Sequence, residues 1–129
     1  MTFCKPRFNK NYEWELSRFC SKLDTTVIGA ASKLFKYFVI HYNPSSMISY
    51  SNISKTRGTL YAKLGFELTS ISSPNYIWTN GRECLSRYEC QKHLLTEYQE
   101  FGTTEVEIMQ NRGYLQIYDC GNKVWGWRS

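Results

Sequence analysis

Apolar residues recur along the chain with two periods, and these divide it into short strands and helices. From Trp14 to Phe19 the pattern alternates, Trp14 and Leu16 against Glu15 and Ser17, which is the period of a half-buried strand. Residues 1–20 therefore predict two strands around the turn Arg7-Phe8-Asn9-Lys10-Asn11, where Asn tolerates unusual φ. Asp24-Thr25-Thr26 ends the second strand. From Ala30 to Tyr42 the period changes: Leu34, Phe35, Phe38 and Val39 form one apolar stripe with Lys33 and Lys36 off it, which predicts a helix that Asn43-Pro44 stops.

The next elements are shorter. Met47 to Tyr50 predicts a strand, residues 51–56 a polar connection, and Arg57 to Leu64 a helix closed by Gly65. Phe66 to Ile71 and Asn75 to Thr79 predict strands around Ser72-Ser73-Pro74, and Asn80-Gly81 is a tight-turn signal. Ser86-x-x-Glu89 fits a capping box and predicts a helix to about Tyr98. Thr104-x-x-Glu107 fits a second, opening a short helix with Val106, Ile108 and Met109 that Gly113 closes. Tyr114 to Tyr118 and Lys123 to Trp127 are expected to pair as a hairpin through residues 119–122. No internal repeat or long linker interrupts this order. The expected organisation is a core at 1–80 and a C-terminal appendage of helices and a β-hairpin at 81–129.

Composition narrows the class. Apolar residues make up 42% and charged residues 21% of the 129, which is globular rather than disordered. No apolar run approaches the ~20 residues of a membrane span, so no membrane partner is expected. The start, Met1 to Pro6, has no signal-peptide core, and the five Cys at 4, 20, 84, 90 and 120 have no paired spacing, so reduced thiols in a cytosol-like compartment are expected.

Charge is uneven. Residues 1–63 hold ten Lys/Arg against three Asp/Glu, a balance of +7, while residues 64–129 hold six against eight, a balance of −2. A field of that sign favours nucleic acid or an acidic protein partner. The candidate phosphate contacts are Lys5, Arg7, Lys10, Lys33, Lys36, Lys55 and Arg57, with Arg87 and Lys92 as a second cluster. Phe8, Tyr12, Tyr88 and Tyr114 interleave with them.

Other chemistry is thinly represented. The close carboxylate pairs Glu13/Glu15 and Glu105/Glu107 lack the supporting groups of a metal nuclease. Cys84, Cys90 and His93 do not have the spacing of a structural zinc site, so no metal is expected and the cysteines are assigned to packed positions. Small residues at Ile28-Gly29-Ala30-Ala31-Ser32 open the first helix, where exposed N–H groups and the helix dipole suit a pyrophosphate.

Leu60-Tyr61-Ala62-Lys63-Leu64-Gly65-Phe66 resembles the Leu-Tyr-x-Lys-x-Gly-Phe helix of the GNAT acyltransferase superfamily, and the order of elements from about Glu13 to Trp78 is similar as well. The resemblance implies an α/β (α+β) fold: a mixed sheet with a splayed pair of strands, flanked by helices, and truncated, because the family's strand and two helices ahead of residues 1–20 are not in this chain. It implies acetyl-CoA as the cofactor of an active member, held by residues 28–32 with Asn52 and Ser54, and Tyr61 as the acid that protonates the departing thiolate. The family's Gln/Arg at the coenzyme loop falls on Thr26, its Asn falls on Ser54 with Asn52 two residues out of register, and Arg57 stands where a small residue is usual.

Longer runs extend the resemblance. Met1 to Phe8, Glu15 to Cys20, Gly29 to Leu34, Ser49 to Asn52, Ser86 to His93 and Gly113 to Asn122 are similar to bacteriophage proteins of the Hef-like homing-endonuclease group, and the first half also resembles the Mom-type DNA-modifying proteins. These resemblances imply a DNA-binding module without catalysis of its own, working in the cytoplasm of an infected bacterial host. Two alternatives stand beside it: an acetyl-CoA-dependent acyltransferase acting on a DNA base or protein amine, and an inhibitor that binds a host protein.

Overall fold

A computed structural model describes all of residues 1–129. It has mixed α/β architecture: two sheets, three α-helices and two short 3-10 segments. The chain divides into two compact units, residues 1–72 with 121–129, and residues 73–120. The second is inserted into the chain of the first, with junctions at 72/73 and 120/121 rather than the single division at 80/81 that the sequence pattern predicts.

The first unit is built on a five-stranded sheet in the order β1-β2-β3-β8-β4, from β1 (Thr2–Cys4), β2 (Trp14–Arg18), β3 (Ser46–Asn52), β4 (Glu67–Ile71) and β8 (Asn122–Arg128). β1 and β2 are antiparallel, β2 and β3 parallel, and β8 runs antiparallel to both β3 and β4. A parallel pair needs a crossover, which α1 (Ala30–Tyr42) supplies. β2 and β3 pair only at Trp14–Met47 and Glu15–Ile48, whereas β3 and β8 pair over seven positions, Ser46–Arg128 to Asn52–Asn122.

Aromatic packing fixes α1 on the sheet. Phe38 stacks on Phe3 with ring centroids 3.6 Å apart and meets the Trp14 ring edge-on. Phe35 packs against Phe66 and Trp127. Leu34, expected on the buried stripe, is instead exposed. Residues before β2 cover β3 and β8 elsewhere: Phe8 meets the edge of Tyr50, and the Tyr12 hydroxyl lies where a side chain on Gly126 would have to go.

The second unit has a three-stranded antiparallel sheet in the order β6-β5-β7, from β5 (Tyr76–Thr79), β6 (Cys84–Ser86) and β7 (Leu115–Tyr118). Trp78, Cys90, Leu95, Ile108, Met109 and Tyr114 form its core. Glu105 opens α3 (Glu105–Asn111) and accepts hydrogen bonds from the Tyr76 hydroxyl at 2.9 Å and Trp78 Nε1 at 3.0 Å.

Two sequence expectations fail here. The expected hairpin of the last two strands does not form: β7 pairs with β5, and β8 pairs with β3 and β4. Both segments alternate acceptably, and local pattern does not say which distant strand each will meet. The expected helix from Ser86 to Tyr98 is replaced by a turn and 3-10 segments at Lys92–Leu94 and Thr96–Phe101. The Glu89 carboxylate does close on Ser86, accepting from its N–H at 2.7 Å and its hydroxyl at 2.6 Å, but the Glu89 N–H donates to the Ser86 carbonyl and closes a turn. Cys90 and Leu95, five residues apart, are the buried positions, a spacing that no single helical face provides.

The second capping box forms as expected. Glu107 N–H donates to Thr104 Oγ1, and Thr104 N–H donates to the Glu107 carboxylate, each at 3.2 Å. Thr104→Ala is expected to lower stability by about 1 kcal/mol in urea denaturation. An unchanged midpoint would show that the cap is not limiting.

Candidate nucleic-acid interface

The division into units sharpens the charge asymmetry. The first unit holds twelve Lys/Arg against four Asp/Glu, a balance of +8, and the second four against seven, a balance of −3. Seven of the nine candidate contacts lie on the first unit, on three segments: Lys5, Arg7 and Lys10 between β1 and β2, Lys33 and Lys36 on α1, and Lys55 and Arg57 between β3 and α2 (Thr59–Lys63). All seven are exposed.

Only Arg7 among them is in an ion pair. Its guanidinium donates to Glu15 at 3.2 Å, and its backbone N–H donates to the other oxygen of the same carboxylate at 3.0 Å. Glu15 is 2% exposed, so Arg7 neutralises a buried acid and its charge is partly spent. Lys5 lies 4.4 Å from the Trp14 ring centre, and Lys10 donates to the Pro6 carbonyl at 2.5 Å. Lys33, Lys36 and Lys55 extend from the surface without a carboxylate partner. Arg87 and Lys92 are exposed too, but they belong to the acidic second unit, where Arg87 sits over the Tyr76 ring at 5.4 Å.

The residues expected to serve a coenzyme are positioned as follows. Gly29 precedes α1 at φ 75° with no side chain capping the helix. The Ala30 N–H donates to the Val27 carbonyl, Ala31 and Ser32 lie in the first turn of the helix, and Ile28 is almost fully exposed. Asn52 and Ser54 are tied to each other: Asn52 Oδ1 accepts from the Ser54 N–H at 2.9 Å and its hydroxyl at 2.6 Å. Tyr61 is half-buried, stacked on Trp125, with its hydroxyl 3.5 Å from the Tyr50 carbonyl. Burial first, then the Glu15 carboxylate and Tyr12, pushes the Tyr50 phenol up, so it stays neutral.

Sequence reasoning missed the role of Glu15. Close in sequence, the two acids Glu13 and Glu15 separate in the fold: Glu13 lies just before β2 and binds Ser45, accepting from its N–H at 2.8 Å and its hydroxyl at 2.9 Å. The 8-residue separation of Arg7 and Glu15 across a turn carried no periodic signal. The cysteine expectation holds for Cys90, which is buried, but Cys20, Cys84 and Cys120 are exposed. No group of three His, Cys, Asp or Glu is placed to hold a metal ion, and no helix is long and apolar enough to cross a membrane.

No family model, curated protein or solved structure matches the chain.

Two tests probe the geometry that holds these segments. Gly58, before α2, has φ 80°, and a Cβ there would overlap the Trp125 ring. Gly58→Ala is expected to cost roughly 2–4 kcal/mol of unfolding free energy from backbone strain plus overpacking. A loss below about 1 kcal/mol in urea denaturation would mean the connection relaxes freely. The Glu13, Glu89 and Glu107 carboxyls are all held below their ordinary range, chiefly by hydrogen bonds from Ser45, Ser86 and the Thr103–Thr104 backbone. Folded-state values below the unfolded ones mean stability that is present at neutral pH and lost as pH falls through the folded values. The melting temperature is therefore expected to fall as pH drops below the ordinary carboxyl value of 4.5, and Glu107→Gln should flatten part of that fall.

Proposed function

We propose that this chain is a DNA-binding module on an acetyltransferase-like scaffold, holding the phosphate backbone through the first unit. The observation that carries this is the +8 balance of that unit, with six of its seven candidate contacts outside any ion pair. Uncompensated, exposed cations attract a polyanion, displace its counterions and bind without choosing a sequence. Arg87 and Lys92 contribute less to that field, because their unit carries a balance of −3.

The scaffold part of the proposal is supported by connectivity. A strand, a crossover helix, a parallel strand that pairs briefly with the first, and a second helix carrying Tyr61 follow one another as the GNAT resemblance implies. The resemblance to phage proteins adds the setting, the cytoplasm of an infected host.

The second reading, an acyltransferase, is favoured by one geometric fact. β2 and β3 pair at two positions only, and the Tyr61 hydroxyl lies near the β3 backbone beyond that paired stretch. Against it, Asn52 and Ser54 satisfy each other and offer a coenzyme less than the resemblance implies. Host-protein binding would use the same positive field and has no residue of its own in its favour.

Gel-shift or anisotropy titration of a short duplex tests the leading proposal. The slope of log K against log salt is expected to be about −4 to −6, as when roughly four to seven phosphates are neutralised. Lys33→Glu with Lys36→Glu should make that slope shallower by about 2. No duplex binding at low salt would sink the proposal. Acetyl-CoA in a thermal-shift assay separates the readings: a clear rise in Tm favours the acyltransferase, and silence favours a scaffold reused for binding.

A further inference from the structure

The second unit contains a recess of about 370 Å³ lined by Ser73, Pro74, Asn75, Arg87, Tyr88 and Gln91. Its volume is at the lower end of the range for small-molecule sites. Its lining brings one guanidinium, one exposed phenol ring and two carboxamides around a single concavity.

The local structure presents these groups in a fixed way. Arg87 and Tyr88 are the two central residues of the Ser86–Glu89 turn, which the Glu89 N–H closes onto the Ser86 carbonyl at 3.1 Å. The Glu89 carboxylate locks the same turn by accepting twice from Ser86. Both bonds fall on one oxygen of the carboxylate, and Arg87, two residues away in the chain, makes no ion pair with it. Arg87 is steadied over the Tyr76 ring, and Tyr88 is left 64% exposed. Also in the lining, the Asn75 backbone is bonded both ways to Asp119, its N–H to the carboxylate at 2.8 Å and its carbonyl to the Asp119 N–H at 2.7 Å. Pro74 stiffens the backbone beside it.

These groups match one ligand chemistry. An exposed aromatic ring offers a stacking platform to any base, a guanidinium pairs with phosphate, and carboxamides offer a donor and an acceptor to a base edge. We propose that this recess takes one unstacked nucleotide, with its base on Tyr88, its phosphate toward Arg87, and its base edge toward Asn75 and Gln91. The proposal rests on the nucleic-acid reading in drawing that nucleotide from a single strand or a strand end. A free mononucleotide is the other source of the same chemistry. Because this unit has a balance of −3, binding here depends on stacking and hydrogen bonds more than on long-range charge.

The test uses the full chain with four probes: thymidine, thymidine 5′-monophosphate, a short oligothymidylate strand and a fully paired duplex. Tyr88→Ala is expected to weaken the monophosphate or the single strand by about tenfold or more, the scale of one base–aromatic stack, and Tyr88→Phe to restore it. Arg87→Ala should weaken the monophosphate but not thymidine. Melting curves check that the variants fold, which is expected because both side chains are exposed. Binding of the strand without the free nucleotide supports a site for polymer, and the reverse supports a site for mononucleotide. Failure of both to bind, or equal binding by Tyr88→Ala, overturns the proposal. Loss of duplex binding alone overturns only the surface reading of the first unit, so the two failures are distinguishable.

Discussion

The antiparallel ladder between β3 and β8 is the interaction on which the first unit depends. It runs over seven residue pairs, and β8 is also the only strand partner of β4. Trp125 and Trp127 come from β8: Trp125 stacks on Tyr61 and donates to Ser51, and Trp127 meets Phe35. The strand therefore contributes both hydrogen bonds to its neighbours and the rings that hold both helices. The insertion is anchored beside it: the Ser72 N–H donates to the Asn122 carbonyl at 2.8 Å, and the Asn122 N–H donates back to the Ser72 hydroxyl at 2.9 Å. A sheet can accept a large insertion between two of its strands when the strand ends on either side are tied together in this way.

How much of this was legible depended on the range of the interaction. α1 was visible to its end residues, Ala30 and Tyr42, because its apolar stripe and its stop at Asn43-Pro44 are local. The Thr104–Glu107 cap was visible for the same reason. The Ser86–Glu89 pair has the same spelling and makes a turn, because the residues after it offer no helical face to bury. Beyond the β1–β2 pair, which the turn between them gives away, strand partners were not legible. β7 and β8 are neighbours in sequence and belong to different sheets, and only the fit of distant surfaces decides that.

The candidate contacts divide along the same line. That Lys33 and Lys36 face outward follows from the period of α1, so their exposure could be anticipated. That Arg7 is committed to a buried Glu15 could not, since the contact crosses an irregular turn. The linear count already put Arg87 and Lys92 in the half with a balance of −2, but the boundary at Ser73 was not legible, because no long linker marks it. Linear charge counts gave the sign of the field and diluted its size. The structure concentrates the field by returning Lys123 and Arg128 to the basic unit.

The position of β8 also imposes an order on biosynthesis. A ribosome must translate all of Ser73–Cys120 between completing β4 and beginning β8. At 5–20 residues per second that takes roughly 2 to 10 seconds. During this interval β3 and β4 have unpaired edges facing the place β8 will take, and the aromatic residues of α1 and α2 lack their tryptophan partners. An open edge beside exposed apolar surface is a template for association with other nascent chains. Every copy of this protein passes through that open-edged state before the ladder of the first unit can close.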